Sequence, residues 1–300
     1  MTTGVNRVNN NALSVVPPKV SEARRIFRVM FSRRVVIFGA VIIVLAILLA
    51  SLAPLIAPYS PIKQNLRAVL QQPSNSHLLG TDWLGRDLLS RLIYGAQISL
   101  TVGVSVVVVA SIIGMAIGLI AGYFGGWVNN VIMRLMDAML ALPPLVLALI
   151  ISTILGNGLR NIIISLGISM VPGYCRLMCG QVLSIKESDY VLAARCMGTN
   201  HLRVMIRHLL PNAFPPLLVL ITLHVGTAVL AEAGLSYLGF GILPPTAAWG
   251  SMVSQGYKYL LTNPLLSFAP GIAIILLVLS FNMVGDGLRD ALDPRLRGTL

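Results

Sequence analysis

The sequence predicts an all-α polytopic membrane protein with about six transmembrane helices. Three observations carry that reading. Of the 300 residues, 56% are hydrophobic and only 11% are charged, with a mean hydropathy of +0.84. Soluble domains carry about 25% charged residues, so a water-soluble core does not account for this balance. Apolar runs recur at 35–56, 98–121, 129–155, 161–182, 213–235 and 264–285, and a helix crosses hydrocarbon with roughly 20 residues. The cations are also unequally shared between alternate connections. With the N-terminus placed inside, sixteen of the 22 Lys and Arg residues fall in inside segments and six outside. The positive-inside rule then puts both termini in the cytoplasm.

Residues 1–34 read as a basic cytoplasmic tail, with Arg7, Lys19, Arg24, Arg25, Arg28, Arg33 and Arg34 against Glu22 alone. Within it "VNRVNNNALSVVPPK" reads as disordered, being polar and poor in large apolar groups. The run 35–56 is too long and starts too late for a cleaved signal peptide, so it reads as a first transmembrane helix ended by Pro54 and Pro58. Residues 57–97 form an external loop. In it "GTDWLGRDLLSRL" spaces Leu84, Leu88 and Leu92 at helical intervals around Asp87 and Arg91, which predicts an interfacial helix lying on the outer membrane face.

Residues 98–285 make a five-helix transmembrane core, with a cytoplasmic loop over 184–212 and a basic C-terminal tail over 286–300 holding Arg289, Arg295 and Arg297. The second span carries Ala110, Gly114, Gly118 and Gly122 at four-residue spacing. Small residues on one helix face let two backbones approach closely in lipid, so helix packing is expected there. Pro143-Pro144 and Val171-Pro172-Gly173 fall inside spans three and four and predict kinks. Arg134 and Asp137 have the i, i+3 spacing of an intrahelical ion pair. Glu232 lies toward the outer end of span five. An acid at membrane depth is a candidate for a cargo pathway, for pairing with a partner's cation, or for a wet boundary.

Other chemistries find little support. Lys and Arg are not massed on one domain with interleaved aromatics, so no nucleic-acid partner is expected. Cys175, Cys179 and Cys196 give neither a disulfide framework nor a metal set, and His201 and His208 read as surface or docking residues. No internal repeat or chain of intramembrane charges marks a self-sufficient secondary transporter, which remains the alternative from another class.

The stretch "YVLAARCMGTNHLRVMIRHLLPN" (190–212) departs from its surroundings. Asp189 stands where an acid favours a helix N-terminus. Tyr190 to Met197 predicts a two-turn helix, ended by Gly198 in the left-handed conformation. Asn200 caps a second helix reaching about Leu209, and Pro211 stops it and opens span five. Leu202, Met205, Ile206 and Leu209 form an apolar stripe beside Arg203 and Arg207. Such a stripe suits a groove on another protein or an anionic membrane surface.

This segment resembles the cytoplasmic coupling loop of ABC importer membrane subunits. That family's pattern is Glu-Ala-Ala, three residues, Gly, nine residues, Ile-x-Leu-Pro. Ala193, Ala194, Gly198, Leu210 and Pro211 match it, while Leu192 and His208 stand at the acid and isoleucine positions. The stretches 77–103, 122–144, 235–253 and 281–297 further resemble the C-type, second membrane subunit of the dipeptide/oligopeptide/nickel permease branch, so the likeness covers about 25–297. The resemblance implies a type I ABC importer permease in a bacterial-type inner membrane. It implies a second homologous permease subunit, one or two ATP-binding subunits below, and an external substrate-binding protein that delivers cargo. Asp189, Ala193, Ala194, Gly198, Arg203, Arg207, Leu210 and Pro211 would then couple to the ATPase, with Gly198 setting the angle between the two helices. Short peptides are the cargo it implies first, and nickel or a metal chelate second. No cofactor is expected in this chain: it has no G-x-x-x-x-G-K-[ST] phosphate loop, so no catalytic residue is assigned, and ATP and Mg belong to the partners.

Overall fold

The computed structural model describes residues 27–292, so the expectations for Arg7, Lys19, Arg24, Arg25, Arg295 and Arg297, and for the disordered stretch, lie outside the described residues. The chain runs through α1 (Arg34–Ser51), a single turn α2 (Ala53–Ile56), α3 (Leu88–Phe124), α4 (Gly126–Leu140), α5 (Pro144–Leu155), α6 (Leu159–Ile185), α7 (Asp189–Cys196), α8 (His201–Val204), α9 (Leu210–Tyr237), α10 (Trp249–Tyr257) and α11 (Leu265–Leu292). A π-helical turn, Met205–Leu209, joins α8 to α9. No strand is present among the described residues; Thr81 and Asp87 form one isolated bridge.

Five helices are long and apolar enough to cross a membrane: α1, α3, α6, the continuous rod from α8 through α9, and α11. The expected third span is not straight. It divides into α4 and α5, bent by 87°, and supplies a sixth crossing if the two are counted together. The break falls at Pro143 and Pro144, where Pro144 opens α5: proline cannot donate to the preceding turn and its ring crowds that turn's carbonyl. Pro172 has the same chemistry, yet α6 continues through it as one helix.

The second span starts ten residues earlier than its apolar run, at Leu88. Asp87 caps it: the carboxylate accepts from the Ser90 backbone N–H at 2.8 Å and the Ser90 hydroxyl at 2.7 Å. Such a cap is worth about 1 kcal/mol. The interfacial helix expected across "GTDWLGRDLLSRL" is therefore corrected. Residues 81–87 form a tight loop, and only the residues from Leu88 onward are helical. Asp82 dictates the loop by accepting from the Leu84 and Arg86 backbone N–H groups, both at 2.9 Å.

α3 lies along α6, with α9 beside both; α11 packs on α9, and α1 covers α11 and the start of α3. The glycines of α3 explain the closest of these contacts. A Cβ on Gly114 would stand 2.6 Å from the Tyr174 Cβ, one on Gly118 2.9 Å from the Met178 Cβ, and one on Gly122 2.8 Å from the Val182 Cβ. Each glycine meets successive turns of α6, so the two backbones touch where any side chain would hold them apart. The main core follows this seam, through Val106, Ala110, Leu166, Tyr174 and Leu217. Outward faces stay apolar: Phe38, Val44, Ile112 and Ile275 are exposed, as a hydrocarbon environment allows.

With 37 residues, α3 is roughly 55 Å long. At its start, loop 57–87 is stitched to loop 238–248; at its far end lies the 186–209 segment. The two candidate regions described next occupy these opposite ends.

Candidate functional site

The 186–209 segment folds as two short helices meeting at a glycine. α7 spans Asp189–Cys196 with Asp189 in its first turn and Arg195 in its last, each placed to favour the helix dipole. Ser188, not Asp189, is the N-cap, and its hydroxyl donates back to the Ile185 carbonyl at 2.6 Å. Gly198 has φ +72, the left-handed conformation that ends a helix. Asn200 caps α8 by accepting from the Leu202 N–H at 3.3 Å. The second helix does not stop at Pro211. It passes through the π turn into α9, so Pro211 lies within a continuous helix, just after the π turn, where it cannot donate to the preceding turn. The loop is thus built onto the foot of a membrane-crossing rod.

The segment has two faces. Val191, Val204, Met205 and Leu209 are buried in one cluster with Leu119 and Tyr123 of α3 and Val182 of α6, and Ala194 is buried as well. Tyr190, Leu192, Met197, Leu202 and Ile206 are exposed, Met197 by 79%. Asp189, Ala193, Gly198, Arg203, Arg207 and Pro211 are exposed with them, whereas Leu210 is half-buried. Two expectations change. The apolar stripe is split, since Met205 and Leu209 serve the chain's own core and only Leu202 and Ile206 face outward. Ala194 is likewise 3% exposed and packs inward, so it is no outside contact. Around Gly198 an added Cβ would meet nothing within 4 Å among the described residues, so the glycine answers there to backbone conformation and not to crowding.

At the opposite end, Asp82, Arg86, Asp87 and Arg91 form a buried polar knot. Arg86 and Arg91 are 0% and 1% exposed. Arg86 Nε donates to the Asp82 carboxylate at 2.7 Å, and Arg91 Nε stands 3.5 Å from the same oxygen. Arg91 also donates to the carbonyls of Pro61, at 3.1 Å, and Pro245, at 3.3 Å, which ties the two loops together. His77 Nδ1 meets the Asp87 carboxylate at 2.9 Å. Spacing alone had pointed to a surface helix here, because the leucine periodicity masked the pairing of charges.

Glu232 is 0% exposed; one carboxylate oxygen accepts from the Ser236 hydroxyl at 2.6 Å, and that hydroxyl accepts from the Ile242 N–H at 3.2 Å. Its own chain encloses it, so it is not open to cargo in this conformation. Arg134 and Asp137 do not pair. Asp137 instead meets Arg176 of α6 at 3.3 Å, both about half exposed, because α4 lies beside α6; such a pair contributes little. His201 accepts or donates at Tyr123, as described below, and among the described residues no group of three His, Cys, Asp or Glu side chains could hold a metal.

Sequence reasoning missed His224. It is the one ionisable side chain in the apolar run 213–231 of α9. Its ring stands edge-on to that of Tyr174 at 5.1 Å, and neither its Nδ1 nor the Tyr174 hydroxyl has a hydrogen-bond partner among the described residues. The signal was visible, since imidazole at membrane depth marks a functional candidate.

Residues 114–298 match the family described as the inner membrane component of binding-protein-dependent transport systems, and residues 21–73 match the N-terminal TM domain of oligopeptide transport permease C. The chain is 45% identical to the di/tripeptide transport system permease protein of Pseudomonas aeruginosa, over 86% of this chain and 88% of that protein. It is 42% identical to the dipeptide transport system permease protein of Alkalihalophilus pseudofirmus, over 93% and 91%. Among solved structures, a chain of the MetNI methionine ABC transporter in an inward facing conformation is similar with a TM-score of 0.56 and 19% identity, covering 69% of this chain and 98% of that one. That likeness concerns the fold alone.

Proposed function

The chain belongs to the family of inner membrane components of binding-protein-dependent transport systems, and on that premise we propose that it forms half of a pathway for short peptides in an ATP-driven importer. A second homologous permease supplies the other half, and an external binding protein delivers the cargo. One or two ATP-binding subunits hydrolyse ATP with Mg. The termini and the 186–209 segment face the cytoplasm, and that segment docks on an ATPase. The observation that carries the docking is the split of the loop: Val191, Val204 and Leu209 anchor it inward while Tyr190, Leu192, Met197, Leu202 and Ile206 are exposed beside Arg203 and Arg207. A compact apolar patch at the polar end of a membrane bundle fits a protein groove. Peptide cargo is favoured by the relatives named for di- and tripeptide and dipeptide transport.

Mild-detergent purification of the tagged chain from native membranes, with mass spectrometry of what accompanies it, tests this. A second permease and an ATP-binding chain are the expected companions. The chain alone, under conditions that keep other such complexes intact, would favour an autonomous carrier. Uptake of a labelled dipeptide against a nickel salt in cells lacking and regaining the chain then separates the two cargo classes.

A further inference from the structure

On the docking reading of the loop, we infer that Tyr123 and His201 form a latch that makes the loop and α3 move as one body. Tyr123 lies in the last turn of α3, is 8% exposed, and its hydroxyl stands 2.6 Å from His201 Nδ1 in the first turn of α8. Seventy-eight residues separate the two along the chain. The Arg195 guanidinium of α7 sits 4.9 Å from the centre of the Tyr123 ring, so that this one side chain shares a hydrogen bond with one loop helix through its hydroxyl and a cation–π contact with the other through its ring. Phe124 closes the cluster, its ring 6.2 Å from that of His201. Beneath these groups Tyr123 shares a buried cluster with Val182, Val191 and Val204.

Position gives the latch its consequence. Directly after Phe124 the chain turns through Gly125 and Gly126, with φ +65 and +50. α3 therefore ends abruptly, and α4 leaves on a backbone free to bend. A displacement imposed on the loop reaches the 37-residue α3 through Tyr123, while the glycine pair lets α4 and α5 lag behind. Tyr123 and His201 are positioning residues: neither need touch cargo or nucleotide.

The test uses the transporter purified with its own partner subunits. Spin labels on the exposed thiol of Cys196 in the loop and at Ile112→Cys on α3 report their separation, without nucleotide and after MgATP–vanadate trapping. The parent is expected to give one narrow distance, the same in both states. Tyr123→Phe, which keeps the ring and loses only the hydroxyl, and His201→Ala should each broaden the distribution and shift it on trapping. His201→Gln, whose amide oxygen can accept from the hydroxyl, should restore the narrow distance. A parent distance that changes on trapping, or a Tyr123→Phe distribution identical to the parent, would overturn the latch. A photo-crosslink from Leu202 to the ATP-binding chain, made in the same samples, keeps the two readings apart. Its presence with an unaltered Tyr123→Phe distribution removes the latch alone, and its absence removes the docking on which the latch depends.

Discussion

Asp82 and Gly198 show what single residues do here. Asp82 is the carboxylate between two buried guanidiniums and also caps its own turn through two backbone N–H groups. Replacing it with Ala leaves Arg86 and Arg91 buried without that counter-charge, and breaking a buried pair in this way costs about 3–5 kcal/mol. Asp82→Ala should therefore lower the thermal midpoint of the detergent-solubilised chain, read by tryptophan fluorescence, whereas a surface carboxylate such as Asp189, changed to Ala, should hardly move it. Gly198 is the reverse case: nothing crowds it, yet its φ of +72 is one that most side chains avoid at roughly 1–2 kcal/mol. Gly198→Trp should still insert and fold, but lose cargo uptake because bulk stands on the proposed docking face. Gly198→Asn, which tolerates the left-handed region, should retain uptake. Equal uptake by both variants would remove the docking role from this turn.

Between elements, the α3–α6 seam carries the most exacting fit. Overpacking a close contact costs about 1–3 kcal/mol, and Gly118→Leu is expected to exceed the effect of Gly173→Leu, where no neighbour lies within 4 Å of an added Cβ. Protease resistance of the two variants in membranes checks the order. This seam was legible in the sequence because four-residue spacing of small residues has one simple geometric meaning. The spans were legible too, as length and hydropathy state them directly. Other elements were not. The leucines at 84, 88 and 92 suggested a helix lying on the membrane, but Arg86 is buried against Asp82 and Arg91 reaches the distant carbonyls of Pro61 and Pro245, which no local pattern announces. Pro143-Pro144 and Pro172 both predicted kinks, and the local pattern did not say that the first would break its helix while the second stays inside an unbroken one. In the loop, the cap at Asn200 and the turn at Gly198 were readable, whereas the fusion of α8 to α9 through a π turn was not, since a proline ordinarily breaks or ends a helix and Pro211 lies inside a continuous one.

For the whole molecule, the two ends of α3 set the division of labour. One end is fixed by a buried knot of charges that joins two loops; the other carries a loop with an exposed apolar patch, seated on the feet of three membrane-crossing rods. On the proposed reading, a push from below travels along α3 while its far end stays tied to the outer loops. The measurement that tests this most directly is site-specific photo-crosslinking from Leu202, which is 58% exposed on the loop, with Leu279, 47% exposed on α11, as the comparison site. A photoreactive residue at Leu202 in native membranes should yield an adduct containing an ATP-binding chain, and the same residue at Leu279 should not. Capture of lipid alone from Leu202, in membranes where cargo uptake is intact, would contradict the account and make the loop a membrane-surface element.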